Sequence, residues 1–327
     1  MKIRIGHLST FYHTAILLMA RKDLAERLGA AVDWRLYGTG PAIMQEFSRG
    51  ELDLAYIGLP PAIIGMDQGI EVRCVAGGHM EGTVMCGRDR WKGHPEEKDL
   101  GVILGQFRGM TIGVPGKGSI HDVILRDCLV RHGLEQEIAV RNFLWADLVT
   151  EAVVKDEVAA AFGTPALAVA VRRFAGGRVL YPPSLLWPSN PSYGIVASRK
   201  FLDKKRDSVL RFLALHEQAS AMLRNDPAQA AAVIASFVGV VDRDFVLETL
   251  AISPRYCGQL TESYLAATME FARALRRLGY VKKELTNEEI FDRTLIDEVH
   301  PEKDHYGGQG ERPTEKRHGD TETRGKG

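Results

Sequence analysis

Leu52-Asp-Leu-Ala-Tyr-Ile-Gly-Leu-Pro60 and Val158-Ala-Ala-Ala-Phe-Gly-Thr-Pro165 decide how this chain is read. Each is a short apolar run that closes on Gly-x-Pro. A run of that length fits a buried strand, and the closing residues fit a turn into a helix: glycine lets the chain bend and proline suits the first helical turn. Outward from each copy, the same order of elements recurs. In the first half, Lys2–Gly6 reads as a strand, Thr14–Leu28 as a helix and Val32–Tyr37 as a strand. Pro41–Arg49 (helix), Leu52–Ile57 (strand), Ala62–Gln68 (helix) and Val72–Ala76 (strand) follow. The second half repeats this with strand Thr111–Val114, helix Ile120–His132, strand Ile138–Leu144 and helix Ala146–Lys155. Strand Val158–Phe162, helix Ala166–Phe174 and strand Val179–Tyr181 complete the repeat. Strands alternating with helices argue for parallel βαβ units, and the repetition argues for two similar α/β lobes, each doubly wound.

After Trp187-Pro-Ser-Asn-Pro-Ser-Tyr193 one more strand, Gly194–Ala197, precedes helices at Lys200–Arg224, Pro227–Val238, Asp242–Ile252 and Ser263–Leu278. The expected organisation is lobe one from 1–86 and 190–300, including the C-terminal helices. Lobe two covers 87–189, and 301–327 is expected to be a disordered polar tail. The 327 residues can bury a sizeable core, with 45% hydrophobic and 26% charged residues. Lys+Arg and Asp+Glu both number 42, so no net basic field holds nucleic acid or an anionic membrane. Cys74, Cys86, Cys128 and Cys257 lie far apart, with no CxxC and no Cys/His spacing that builds a zinc site; they read as buried free thiols. The apolar run Ala15–Ala20 is too short to span a bilayer or to serve as a signal core. As written the chain is expected in the cytoplasm, as a monomer; removal of an export signal would instead place it in the periplasm or at the cell surface.

Ligands of open α/β sheets bind beyond the carboxyl ends of the strands, where loops meet helix N-termini. Two lobes facing one another would rim one cleft with six loops. Lobe one offers Ser9, Thr10, Tyr12, His13, Thr39, Gly40 and Gly58. Lobe two offers Lys117, Gly118, Ser119, His121, Trp145 and Thr164, and the stretch leading back to lobe one adds Trp187 and Tyr193. Gly116-Lys-Gly-Ser119 reads either as an anion cradle of outward N–H groups or as a plain helix cap. It matches neither the NTPase phosphate loop nor the dinucleotide fingerprint. The tryptophans can stack on a flat ligand or fill a core. His7, His13 and His121 lack the spacing of a metal site, and no nucleophile–base motif is present, so neither metal, cofactor nor catalytic residue is expected.

The stretch Gly38-Thr-Gly-Pro-Ala-Ile-Met-Gln-Glu-Phe-Ser-Arg-Gly-Glu-Leu-Asp-Leu-Ala-Tyr-Ile-Gly58 with Pro60, and Phe107–Pro115 running into Gly116–Ser119, resemble a known family. So does Val209–Arg224 with Asn225-Asp-Pro227. The family is the periplasmic-type solute-binding proteins of ABC importers for nitrate, sulfonates, taurine and thiamine precursors. The resemblance covers about residues 1–285. It implies a type II periplasmic-binding-protein fold whose lobes are joined by two crossing segments and close like a clamp on a small polar or anionic organic ligand, flat ones included. It also implies delivery to an ABC permease. The same fold serves cytoplasmic enzymes and sensors, among them thiamine-pyrimidine synthases and menaquinone-pathway enzymes. Where the pyrimidine synthases carry a cysteine cluster and a histidine, this chain has Trp187–Tyr193 and Leu59-Pro-Pro61.

Overall fold

The computed structural model describes residues 2–302, 305 and 306. Among these the strands are β1 (Lys2–Leu8), β2 (Ala31–Tyr37), β3 (Leu54–Ile57), β4 (Val72–Met80), β5 (Val84–Arg88), β6 (Thr111–Pro115), β7 (Ala139–Phe143), β8 (Ala160–Gly163), β9 (Gly177–Tyr181) and β10 (Pro191–Ser198). They form two sheets of matching topology, β2-β1-β3-β10-β4 and β7-β6-β8-β5-β9. In each sheet four strands run in one direction, and the fifth comes antiparallel from the far side of a crossing: β10 enters between β3 and β4, and β5 between β8 and β9. This is the expected pair of doubly wound lobes.

The Gly-x-Pro endings act as read. Gly58 is the N-cap of helix Leu59–Asp67, with proline in its first turn, and Thr164 caps helix Pro165–Ala175. Asp53, just before β3, accepts the Arg4 backbone N–H at 2.8 Å and the Arg4 guanidinium at 2.8 and 3.1 Å, which ties the strand start to β1. The four cysteines are buried free thiols. No helix among the described residues is long and apolar enough to cross a membrane.

Several expectations need correction. The single helix over Thr14–Leu28 is two, Thr14–Met19 and Leu24–Leu28, broken where Arg21 forks the Asp23 carboxylate at 2.7 and 2.9 Å. β4 runs past Ala76 to Met80. β5 has no counterpart in the sequence reading and belongs to the second sheet, so that sheet begins before residue 87. The tail expected from residue 301 contains a buried tyrosine: the Tyr306 hydroxyl lies 2.7 Å from the Cys257 carbonyl and 3.0 Å from that of Gln259. Residues 303, 304 and 307–327 of that tail lie outside the described residues.

The two passages between sheets are bonded to each other. Glu81 N–H donates to the Asn190 carbonyl at 2.7 Å, and the Glu81 carboxylate accepts the Ser189 N–H at 3.0 Å. Glu81 does this with φ +59°, a left-handed backbone that non-glycine residues adopt only when surroundings over-determine it. Beside this junction Tyr193 of β10 lies flat over β4, where a Cβ on Gly78 would sit 2.0 Å from its ring. Only glycine leaves room. Gly78→Ala is therefore expected to displace Tyr193 and lower stability by about 1–3 kcal/mol, the usual result of overpacking. A urea unfolding curve with an unchanged midpoint would contradict this placement.

Candidate functional site

The loop after β1 delivers the first wall of the site. His13 is the N-cap of helix Thr14–Met19 but makes no cap bond, so its ring is free to face inward. It lies against the Tyr193 ring with centroids 3.9 Å apart and edge-on to Tyr12 at 4.8 Å. Thr10 Oγ1 holds its Nδ1 at 2.8 Å. The Tyr12 hydroxyl is hydrogen-bonded to Ser192.

The strands supply the second wall. His79 of β4 stands across from Tyr193 of β10 and stacks on Tyr256 at 4.4 Å. Its Nε2 lies 2.6 Å from the Ser253 carbonyl. A carbonyl only accepts, so Nε2 carries the proton and Nδ1 presents a lone pair; that Nδ1 is buried without a partner. Behind Tyr193 the same logic orders a relay. His216 Nε2 donates to the Gly77 carbonyl at 2.9 Å, so its Nδ1 accepts from Thr14 Oγ1 at 2.8 Å. The Tyr193 hydroxyl then donates to Thr14 Oγ1 at 3.2 Å.

Lobe two contributes His121, the second residue of helix Ile120–Arg131, whose Nδ1 meets the Thr83 hydroxyl at 2.9 Å. Thr83 itself sits on the first crossing. Burial pushes His79 and His121 down to about 4. His13 also falls well below the usual imidazole range, first from burial and then from its neighbours His79, His7, His121 and His216. The imidazoles are therefore neutral at pH 7. They make a polar, aromatic enclosure able to donate and accept hydrogen bonds without a fixed charge.

The other expected residues divide. Trp145 packs its ring on Gly38, where a Cβ would lie 3.1 Å from Cε2, and Thr39 presents its methyl to Gly116. These contacts join the two lobes along one rim. Gly58 faces Ile120 and the Ser192 carbonyl, nearer the histidines. Thr39, Ser119 and Thr164 spend their hydroxyls on capping, accepting N–H groups of Ala42 at 3.4 Å, Asp122 at 3.3 Å and Leu167 at 3.2 Å. Gly40 makes room for Pro61. Ser9 is exposed, as is Lys117, and Trp187 stacks on Phe271 at 4.5 Å rather than on the histidines.

Of the two readings of Gly116–Ser119, the anion cradle is filled from within. Gly118 N–H donates to the Asp122 carboxylate at 2.9 Å, and that fully buried carboxylate also takes Tyr280, Arg126 and Asn142. A carboxylate three residues past the cap takes the Gly118 N–H that an external anion would use, and the Ser119 hydroxyl caps the helix.

His79, Thr83 and Ser192 were not singled out in the sequence. A signal for His79 was present in Gly77-Gly78: paired glycines inside a strand mark close approach of other groups.

Comparison with known proteins fits this geometry. A protein of Brucella abortus whose name makes it a candidate binding protein is 25% identical over 242 residues, covering 73% of this chain and 72% of its own. The structure of the periplasmic aliphatic sulphonate-binding protein of Escherichia coli superposes with a TM-score of 0.73 at 19% identity, over 90% of this chain and 92% of that one. The periplasmic nitrate-binding protein of Synechocystis gives 0.71 at 12% identity, over 91% and 88%. At those identities the likeness establishes the fold, that of periplasmic binding proteins. The model of the NMT1-like family matches residues 1–238, most of the chain, and the chain belongs to the NMT1-like family.

Proposed function

We propose that this protein captures a small, flat organic solute between its lobes and hands it to an ABC permease. The observation that carries the reading is the convergence of His13, His79, Tyr193 and His121, from both lobes and both crossing strands, on one buried enclosure. A site assembled from two hinged bodies couples binding to closure, which is what a receptor needs in order to signal occupancy to a membrane partner. The chemistry of the walls narrows the solute. Aromatic faces and neutral imidazoles suit a planar molecule with its own N–H or O–H donors, one of them directed at the unpartnered His79 Nδ1. The anionic part of the earlier expectation has less support, because the N–H of Gly118 already serves Asp122. The enclosure binds without transforming, so the solute leaves as it came.

Native mass spectrometry identifies the solute that co-purifies, and calorimetry then measures its affinity. His121→Ala is expected to weaken binding at least tenfold, about 1.4 kcal/mol, while Trp187→Phe leaves it unchanged and the solute is recovered intact after long incubation. Equal affinity for His121→Ala and wild type would refute the site. A product mass that disappears with His13→Ala would refute the carrier reading in favour of an enzyme.

The buried histidines also set a pH dependence. In the unfolded chain they titrate near about 6.5, whereas folded His79 and His121 do so at about 4. Between those values the unfolded chain binds more protons, so their stabilising effect is complete above about pH 6.5 and is lost progressively as pH falls to about 4. The interval corresponds to roughly 3 kcal/mol for each group. Urea midpoints should therefore drop between pH 7.5 and 4.5, and less steeply in His121→Gln. Parallel curves for variant and wild type would contradict the burial of a neutral imidazole at this position.

A further inference from the structure

Beside His216 and Tyr256, Glu217, Cys257, His300 and His305 bring four donor atoms within 4.8 Å of one another. They come from three segments. Glu217 lies on helix Arg199–Asn225, and Cys257 lies between helices Arg243–Ile252 and Glu262–Arg277. The two histidines follow helix Thr294–Val299. Cys257 Sγ is 3.4 Å from His300 Nε2, which is 3.9 Å from Glu217 Oε1. Around a tetrahedral zinc ion, with bonds of about 2.3 Å to sulfur and about 2.0–2.2 Å to nitrogen and oxygen, neighbouring donors are about 3.4–3.6 Å apart. We propose that these four side chains form a zinc(II) site that fastens the C-terminal segment to lobe one.

The surroundings are those of a ligand set. The Glu302 carboxylate lies 3.4 Å from His300 Nδ1, a pairing that keeps the proton on Nδ1 and leaves the Nε2 lone pair for a metal. The Gln259 N–H points at Cys257 Sγ at 3.4 Å, and the His305 backbone N–H bonds the same sulfur, the kind of support a thiolate uses. Gly258 N–H holds Glu217 Oε2 at 2.6 Å, and Arg224 takes Oε1 at 2.8 Å. Each carboxylate oxygen has two lone pairs, so Oε1 retains one for the ion. One thiolate and one carboxylate balance a divalent charge, and sulfur with imidazole selects zinc over magnesium or calcium. Tyr306 lies just beyond the ligands, its hydroxyl against the position a Gly77 side chain would take. The ion would therefore hold this segment over β4, one residue along the chain from His216 and from Tyr256, which buttress the enclosure.

The test uses the full chain, stripped with a chelator and titrated with zinc against a chromophoric competitor, and in parallel with cobalt(II). One equivalent is expected to bind, and cobalt should give an intense thiolate-to-metal band with tetrahedral visible bands. Cys257→Ser should abolish the thiolate band, and His305→Ala, at an exposed position that tolerates change, should weaken zinc at least tenfold. Cys128→Ser and His121→Ala should leave both unchanged. Absence of binding, a cobalt spectrum without the sulfur band, unaltered affinity in His305→Ala, or loss of binding in His121→Ala alone would each overturn the site.

Discussion

Each sheet of this molecule is completed by a strand that has just crossed from the other lobe. β10 runs antiparallel between β3 and β4, and β5 between β8 and β9; without the inserted strand the facing edges would leave a row of N–H and C=O groups unpaired inside the protein. That exchange welds the lobes at two neighbouring crossings, and helix Arg243–Ile252 also packs on helix Pro165–Ala175, with Arg173 bonded to Asp242 and Glu248. The exchange also decides where a ligand site can form. Tyr193 rides on β10 over Gly78, His79 extends β4 toward the crossing, and Thr83 sits within it, so the groups nearest the hinge come from the strands that make the hinge.

Much of this architecture was legible because short buried strands and helix starts leave local marks. The Gly-x-Pro endings and the alternation of strand and helix are set by backbone sterics and burial within a few residues. β5 escaped because no helix stands next to Val84-Met-Cys-Gly-Arg88 in the sequence and the strand pairs only with strands far along the chain. Within the site, Tyr12, His13, His121 and Tyr193 could be picked out as polar or aromatic groups at strand ends. The roles of Thr39, Ser119 and Thr164 were harder to separate, since a hydroxyl that caps a helix and one that meets a ligand occupy the same position. The Asp122 carboxylate decided between them for the glycine loop. No spacing rule could assemble Glu217, Cys257, His300 and His305, whose proximity arises only when the C-terminal segment docks.

The enclosure combines burial with neutrality. Imidazoles that stay uncharged at pH 7 add polar contacts without the desolvation cost of an ion, and a partner hydroxyl orients each of His13, His121 and His216. Such a site discriminates by shape and by the pattern of donors and acceptors rather than by charge. The relay from Tyr193 through Thr14 to His216 and Gly77 then links the state of the enclosure to β4 and to helix Arg199–Asn225, the scaffold of lobe one.

The central claim is that two lobes hinged at the crossings close on a solute held between them. Small-angle scattering of the chain with its solute removed and then restored to saturation tests this most directly. The account predicts a smaller radius of gyration on binding, the bound state keeping the Trp145–Gly38 and Thr39–Gly116 contacts that join the rims in this structure. Superimposable profiles at saturation would contradict it.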